Sequence, residues 1–231
     1  MSIILNGSTG LVTNVTLPAG TTSLAPMTFT SGTNLTSATA GAMEYDGKVP
    51  YFTPQGSQRG CIPGMQYYQL TSGLLGANSN AAQSFFGVGC TLSSNTVYEF
   101  EAVYGWTKTA GTTSHTVNLL FGGTATINSI YYAGNTGAVS SSTGTFLDTS
   151  ANMFGTNVVT STPSSGPNTA AAQSRGTVMR GSVSVNAGGT FIPQYQLSAA
   201  PGGAYTILAG SYFLIYPIGT AGANVSVGTW A

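Results

Sequence analysis

Charge is what this sequence has least of. Five acidic side chains, five basic ones and a single histidine serve all 231 residues, whereas soluble chains commonly devote about a quarter of their positions to charge. No Asp, Glu, Lys, Arg or His occurs between Met1 and Met43 or between Gly181 and Ala231. A surface this neutral is not kept dispersed by charge, so other copies of the chain are expected to cover much of it in a large assembly. The formal net charge is zero, and Lys48, Arg59, Lys108, Arg175 and Arg180 are few and scattered. They cannot line a groove that neutralises phosphates, which argues against nucleic acid as a partner, and they form no polybasic membrane patch.

Other absences narrow the class further. No apolar run approaches the roughly 20 residues that cross a bilayer as a helix. The longest, 212–218, contains Pro217 and suits a strand, so no membrane insertion is expected. Residues 1–7 carry no basic leader and too short an apolar stretch for a secretory signal, which makes synthesis in a cytoplasm the expectation. In that compartment Cys61 and Cys90 are expected as free thiols. The Asn-x-Ser/Thr triplets at Asn6, Asn14, Asn34 and Asn224 are then not expected to carry glycan. The apolar periodicities of amphipathic helices are missing. So are the Gly-x-Ser-x-Gly elbow, the phosphate-binding Gly-Lys-Ser/Thr loop and the dinucleotide fingerprint; Gly87-Val88-Gly89 runs into Cys90 and Thr91 where the last would need a glycine opening a helix. No cofactor is implied.

What the chain does have is strand signal. Across 97–106, Tyr98, Phe100, Ala102, Tyr104 and Trp106 fall on one face of a period-two strand, and that face predicts core. Residues 115–121 alternate likewise through Val117, Leu119 and Phe121, and the turn-like 109–112 between the two predicts a hairpin. Segments 177–185, 190–198, 205–208 and 211–218 read as four more strands, separated by glycine-rich turns. Segments 134–144 and 160–172 are small and polar and read as exposed loops. The fold expected is all-β: an antiparallel, jelly-roll-like β-sandwich over 65–231. Before it, 1–64 reads as an extended arm with no strand pair able to bury a core of its own, ordered by neighbouring chains.

Three candidate groups stand out. Glu99 and Glu101 share the face opposite the aromatic stripe. Such a pair could hold a cation with oxygen ligands or divide the acid and base roles of glycoside cleavage, but a solvated face bonded to Thr and Arg is the favoured reading because no further acids lie nearby in sequence. His115 opens the following strand and, in a hairpin, would approach the two glutamates. A lone histidine makes a poor zinc site, so a structural role is favoured. Tyr131 and Tyr132 suit stacking on sugars or packing. No residue is assigned as catalytic, cofactor-binding or metal-ligating, and the chain is not expected to be an enzyme.

The stretch Thr28-Phe29-Thr30-Ser31-Gly32-Thr33-Asn34-Leu35-Thr36, continuing through Ala40-Gly41-Ala42-Met43-Glu44-Tyr45-Asp46-Gly47 to Tyr51-Phe52-Thr53, resembles a segment of tailed-bacteriophage virion structural proteins. The opening Met1-Ser2-Ile3-Ile4-Leu5-Asn6-Gly7 looks like the start of phage tail-fibre proteins. Gly188-Gly189-Thr190-Phe191-Ile192-Pro193-Gln194, Ala200-Pro201-Gly202-Gly203, Ser211-Tyr212-Phe213, Gly219-Thr220 and the final Trp230-Ala231 resemble their C-terminal domains. The resemblance implies a virion location and a homotrimeric β-structured fibre or tip. Its 1–64 arm would attach to other virion proteins, and its tip would bind a host surface glycan or protein. The chain lacks shaft repeats and coiled-coil heptads, which leaves room for a capsid decoration protein stabilising the head. A glycan-cleaving tailspike using Glu99 or Glu101 is a third reading.

Overall fold

A computed structural model describes residues 17–109, 111, 113–140, 151–155, 161–163, 172–228 and 230. Among these no helix forms, and the chain is built from antiparallel strands. β1 (Met43–Tyr45), β2 (Pro50–Phe52) and β3 (Gly60–Cys61) come first, followed by the short β4 (Gln66–Gln69), β5 (Leu74–Leu75), β6 (Gln83–Ser84) and β7 (Cys90–Leu92). The middle of the chain supplies β8 (Thr96–Lys108), β9 (Val117–Gly122), β10 (Thr126–Ser140), β11 (Ala151–Gly155) and β12 (Ser161–Pro163). The last four are β13 (Gln173–Ala187), β14 (Gly189–Leu197), β15 (Tyr205–Ile207) and β16 (Tyr212–Thr220).

Two sheets face each other. The larger runs β11-β10-β13-β8, and the far edge of β8 is shared by two strands lying end to end: β16 against Thr96–Val103 and β15 against Trp106–Lys108. β4 extends the sheet beyond β16 and β5 beyond β15. The smaller sheet runs β12-β9-β14, and the far edge of β14 is divided in the same way between β7 and β6.

The expected aromatic stripe is the centre of the core. Phe100, Ala102, Tyr104 and Trp106 are each at most 3% exposed, and their rings meet those of the opposite sheet: Phe100 with Phe121 at 5.2 Å between centroids, Trp106 with Tyr195 at 6.0 Å. Each large apolar side chain so enclosed contributes about 1.5–3 kcal/mol of transfer free energy. Phe85, fully buried, stacks on Tyr104 at 3.9 Å and on Trp106 at 4.9 Å, closing the core from the β6 side.

Three expectations are corrected. β8 and β9 do not pair as a hairpin; both edges of β8 are taken by β13 and by β15 and β16, so β9 crosses to the other sheet and faces β8 through Val117, Leu119 and Phe121. β13 and β14 likewise lie in different sheets. Residues 134–140, read as loop, continue β10 as a strand paired along its length with β13; small polar side chains are tolerated there because Thr136 and Thr177 bond to each other across the ladder at 2.8 Å. Of the second expected loop, 161–163 is strand β12, and residues 141–144, 160 and 164–171 lie outside the described residues.

The arm holds more structure than expected. β1, β2 and β3 form a small antiparallel sheet whose first turn is organised by one carboxylate: Asp46 accepts the backbone N–H groups of Lys48 and Val49 at 2.7 and 2.9 Å and the hydroxyl of Tyr51 at 2.8 Å. Those three bonds hold the Asp46 carboxyl below its usual range although burial opposes them. Arg59 spans the sheet to Glu44, Nε to Oε2 at 2.8 Å. Val49 and Thr53 are fully buried. Lys48 donates to the Ser94 carbonyl at 2.8 Å, tying this sheet to the sandwich. Before it, 17–33 is exposed and forms no strand, with a turn closed by the Thr21 N–H on the Leu24 carbonyl at 2.9 Å.

Candidate functional site

Strand alternation puts Glu99 and Glu101 on the outer face of the larger sheet, and register decides what stands beside them. One row across the strands reads Tyr131, Ser182, Glu99, Tyr216; the next reads Ala133, Arg180, Glu101, Leu214, Tyr67. The Tyr216 hydroxyl donates to Glu99 Oε2 at 2.7 Å, and the Tyr212 hydroxyl to Glu101 Oε1 at 2.9 Å. Arg180 Nε meets the other Glu101 oxygen at 2.8 Å. Accepting carboxylates favour the neutral phenols, so Tyr216 is pushed up to about 12 and Tyr212 is raised as well. Tyr67 stacks on Tyr212 at 5.6 Å.

Between these walls lies a groove of about 600 Å³ bordered by Tyr131, Glu99, Glu101, Arg180 and Tyr216. Between Tyr131 and Glu99 the outward residue is the small Ser182, and its neighbour Gly181 faces the core. A Cβ on Gly181 would lie 2.6 Å from Cβ of Tyr132 and 2.7 Å from Cζ of Phe100, so the aromatic core claims that space.

His115 is not part of this face. It lies between the sheets, 2% exposed, with Nδ1 2.9 Å from the Thr113 carbonyl and Nε2 2.8 Å from the Tyr205 hydroxyl. Since a carbonyl only accepts, Nδ1 carries the proton and Nε2 accepts from Tyr205 in the neutral ring. Burial holds the imidazole below its ordinary pKa; the Thr113 bond opposes this, and the nearby cations Lys108 and Arg175 add to it. Lys108 and Arg175 are themselves 2% and 3% exposed at the same end of the sandwich, and burial lowers the Lys108 pKa. The expected approach of His115 to Glu99 and Glu101 is therefore overturned: the hairpin that would have brought them together does not form.

The tyrosine pair divides. Tyr132 packs in the core at 2% exposure, whereas Tyr131 remains 50% exposed on the groove rim. Cys61 and Cys90 are free thiols; burial pushes Cys90 up to about 11 and raises Cys61, so neither is primed as a nucleophile. Among the described residues no group of three or more His, Cys, Asp or Glu side chains is placed to hold a metal ion, and no helix is long and apolar enough to cross a membrane.

Sequence reasoning found Glu99, Glu101 and Tyr131 but missed Arg180, Tyr212 and Tyr216. Arg180 could have been found by parity, since it shares its face of β13 with Ser182 and Ser184, whereas Tyr212 and Tyr216 alternate with apolar residues on a face that also carries Leu214 and give no such signal. Comparison with protein-family models, with curated proteins and with solved structures finds no match for this chain.

Proposed function

We propose that this chain is a structural subunit of a tailed-bacteriophage particle, a short trimeric tail fibre or fibre tip whose arm attaches to the virion and whose sandwich is displayed for host-surface attachment. The observation that carries this reading is the distribution of apolar surface. Among the described residues, eight of the seventeen large apolar side chains left exposed lie in the arm between Leu17 and Ile62, Leu24 at 70% and Met27 at 54% among them. A segment that bares such side chains and holds no charge before Glu44 gains by being covered. The sandwich, in contrast, encloses its own core.

Sedimentation of the full chain and gold-labelled antibody on purified particles test the reading. The expected results are a species of three 23.4 kDa chains and label at the tail. A monomer at high concentration, or particles without label, overturns it; label over the head moves the assignment to capsid decoration.

A further inference from the structure

We propose that the outer face of the larger sheet is a binding site for a linear, uncharged oligosaccharide, with Tyr131 as the ring on which a sugar stacks and Glu99 as the acceptor of its hydroxyls. The inference rests on the reading of the sandwich as a displayed tip and assigns that tip a site and a ligand class.

Two depressions meet on this face. Beside the groove of about 600 Å³ lies a second of about 450 Å³, bordered by Asn95, Asn128, Ser129 and Ser184, and Tyr131 and Ser182 belong to both. A ligand running from one to the other passes over Tyr131. That side chain is half exposed, offering a flat apolar face with a polar tip, the shape that suits the C–H face of a pyranose beside its hydroxyls.

The hydrogen-bonding groups are unequally committed. Glu101 has one oxygen on Tyr212 and the other on Arg180, so it serves as the support that positions Arg180. Glu99 is held only through Oε2, by Tyr216, and its Oε1 has no protein partner among the described residues. A carboxylate fixed at one oxygen and open at the other is a preorganised acceptor for a hydroxyl pair. Arg180, 78% exposed in its side chain, is bonded through Nε and can donate from its terminal nitrogens to ring or hydroxyl oxygens.

Charge selects the class. The first groove holds two carboxylates and one guanidinium, a net negative site, and the second is lined by no charged residue. Phosphorylated or sialylated chains meet repulsion there. Asparagine and serine, which both donate and accept, match neutral hydroxyls instead.

Calorimetric titration of the full chain with cellotetraose, maltotetraose, chitotetraose and a linear mannotetraose, with polysialic acid as the anionic comparator, tests the site. At least one neutral tetrasaccharide is expected to bind once per chain, with affinity reduced about tenfold by Tyr131→Ala and by Glu99→Gln. Sedimentation of both variants is expected to match the parent. Failure of all four neutral sugars to bind, tighter binding of polysialic acid, or unchanged affinity in Tyr131→Ala overturns the proposal. So does a changed sedimentation coefficient in that variant, which would place this face between copies. Particle labelling is read separately: label on the tail without sugar binding removes this site alone, and sugar binding without label removes the virion reading alone.

Discussion

The Nε2 of His115 and the hydroxyl of Tyr205 are hydrogen-bonded at 2.8 Å, on the inner side of the sheet whose outer side bears Glu99 and Glu101. Charging that imidazole is opposed by burial and by Lys108 and Arg175, so its folded pKa lies below the ordinary 6.5. Between the two values the unfolded chain binds more proton, and stability rises with pH through that window. The contribution is complete above about pH 6.5 and is lost as pH falls through the folded pKa. Urea denaturation at neutral pH and at progressively acidic pH is expected to show the loss. His115→Gln keeps an acceptor for Tyr205 and does not titrate, so its loss should be smaller; equal losses in the two proteins would remove His115 as the cause.

Phe85 shows how a two-residue strand contributes to the core. β6 has few ladder bonds, yet it delivers a fully buried ring onto Tyr104, with centroids 3.9 Å apart and planes within 9°. Phe85→Ala is expected to cost about 3–5 kcal/mol, a transfer term plus a cavity between two sheets that cannot collapse, and Phe85→Leu less. Urea midpoints measure both. A cost below 1 kcal/mol for alanine, roughly that of an exposed site, would mean that the β6 side of the core is open in solution.

What the sequence made legible follows from what alternation encodes. Tyr98 to Trp106 disclosed a strand and its buried face because period two reports which side of a sheet a residue faces. It does not report the neighbouring strand. The β8–β9 hairpin was expected from a short turn, whereas the partners of β8 come from β13, β15 and β16, with paired residues 65 to 124 positions apart in sequence. The site divides along the same line. Glu99 and Glu101 are two positions apart and visible as a pair; Arg180, Tyr212 and Tyr216 join them only through register. Residues 134–140 were misread because Gly, Ala, Ser and Thr resemble a loop when the hydroxyl pair of Thr136 and Thr177 is out of sight.

Gly181 is a test of whether the groove and the core are one construction. Its neighbours across the ladder are Phe100 and Tyr132, and a Cβ would fall within 2.7 Å of both side chains and against the Tyr131 backbone oxygen. Gly181→Ala is expected to destabilise by about 1–3 kcal/mol through overpacking and to broaden the near-ultraviolet signal of the aromatic core. Because Tyr131 precedes Tyr132 on β10, the displacement should also weaken any ligand held on the rim. Unaltered stability in this variant would show that the two strands separate more readily than their packing implies.

Glu44 and Arg59 close a ring that fixes the small sheet of the arm. Arg59 meets Glu44 through Nε at 2.8 Å and Nη2 at 3.2 Å, and Nη2 also donates to the Leu35 carbonyl at 2.6 Å. The Leu35 N–H in turn donates to Glu44 Oε1 at 2.6 Å. The Arg59 side chain is 22% exposed and that of Glu44 9%, so the pair is screened less than a surface bridge, and removing one partner strands the other's charge in a partly buried place. Arg59→Gln or Glu44→Gln alone is therefore expected to open the sheet locally by about 1–3 kcal/mol. The double variant should cost less than the two single changes together. Amide exchange over residues 31–61 is the appropriate measurement, because opening the arm leaves the core of the sandwich closed. Strict additivity in that cycle would show that Glu44 and Arg59 act independently, and the order of the arm would then rest on the Asp46 turn and on Lys48 at Ser94.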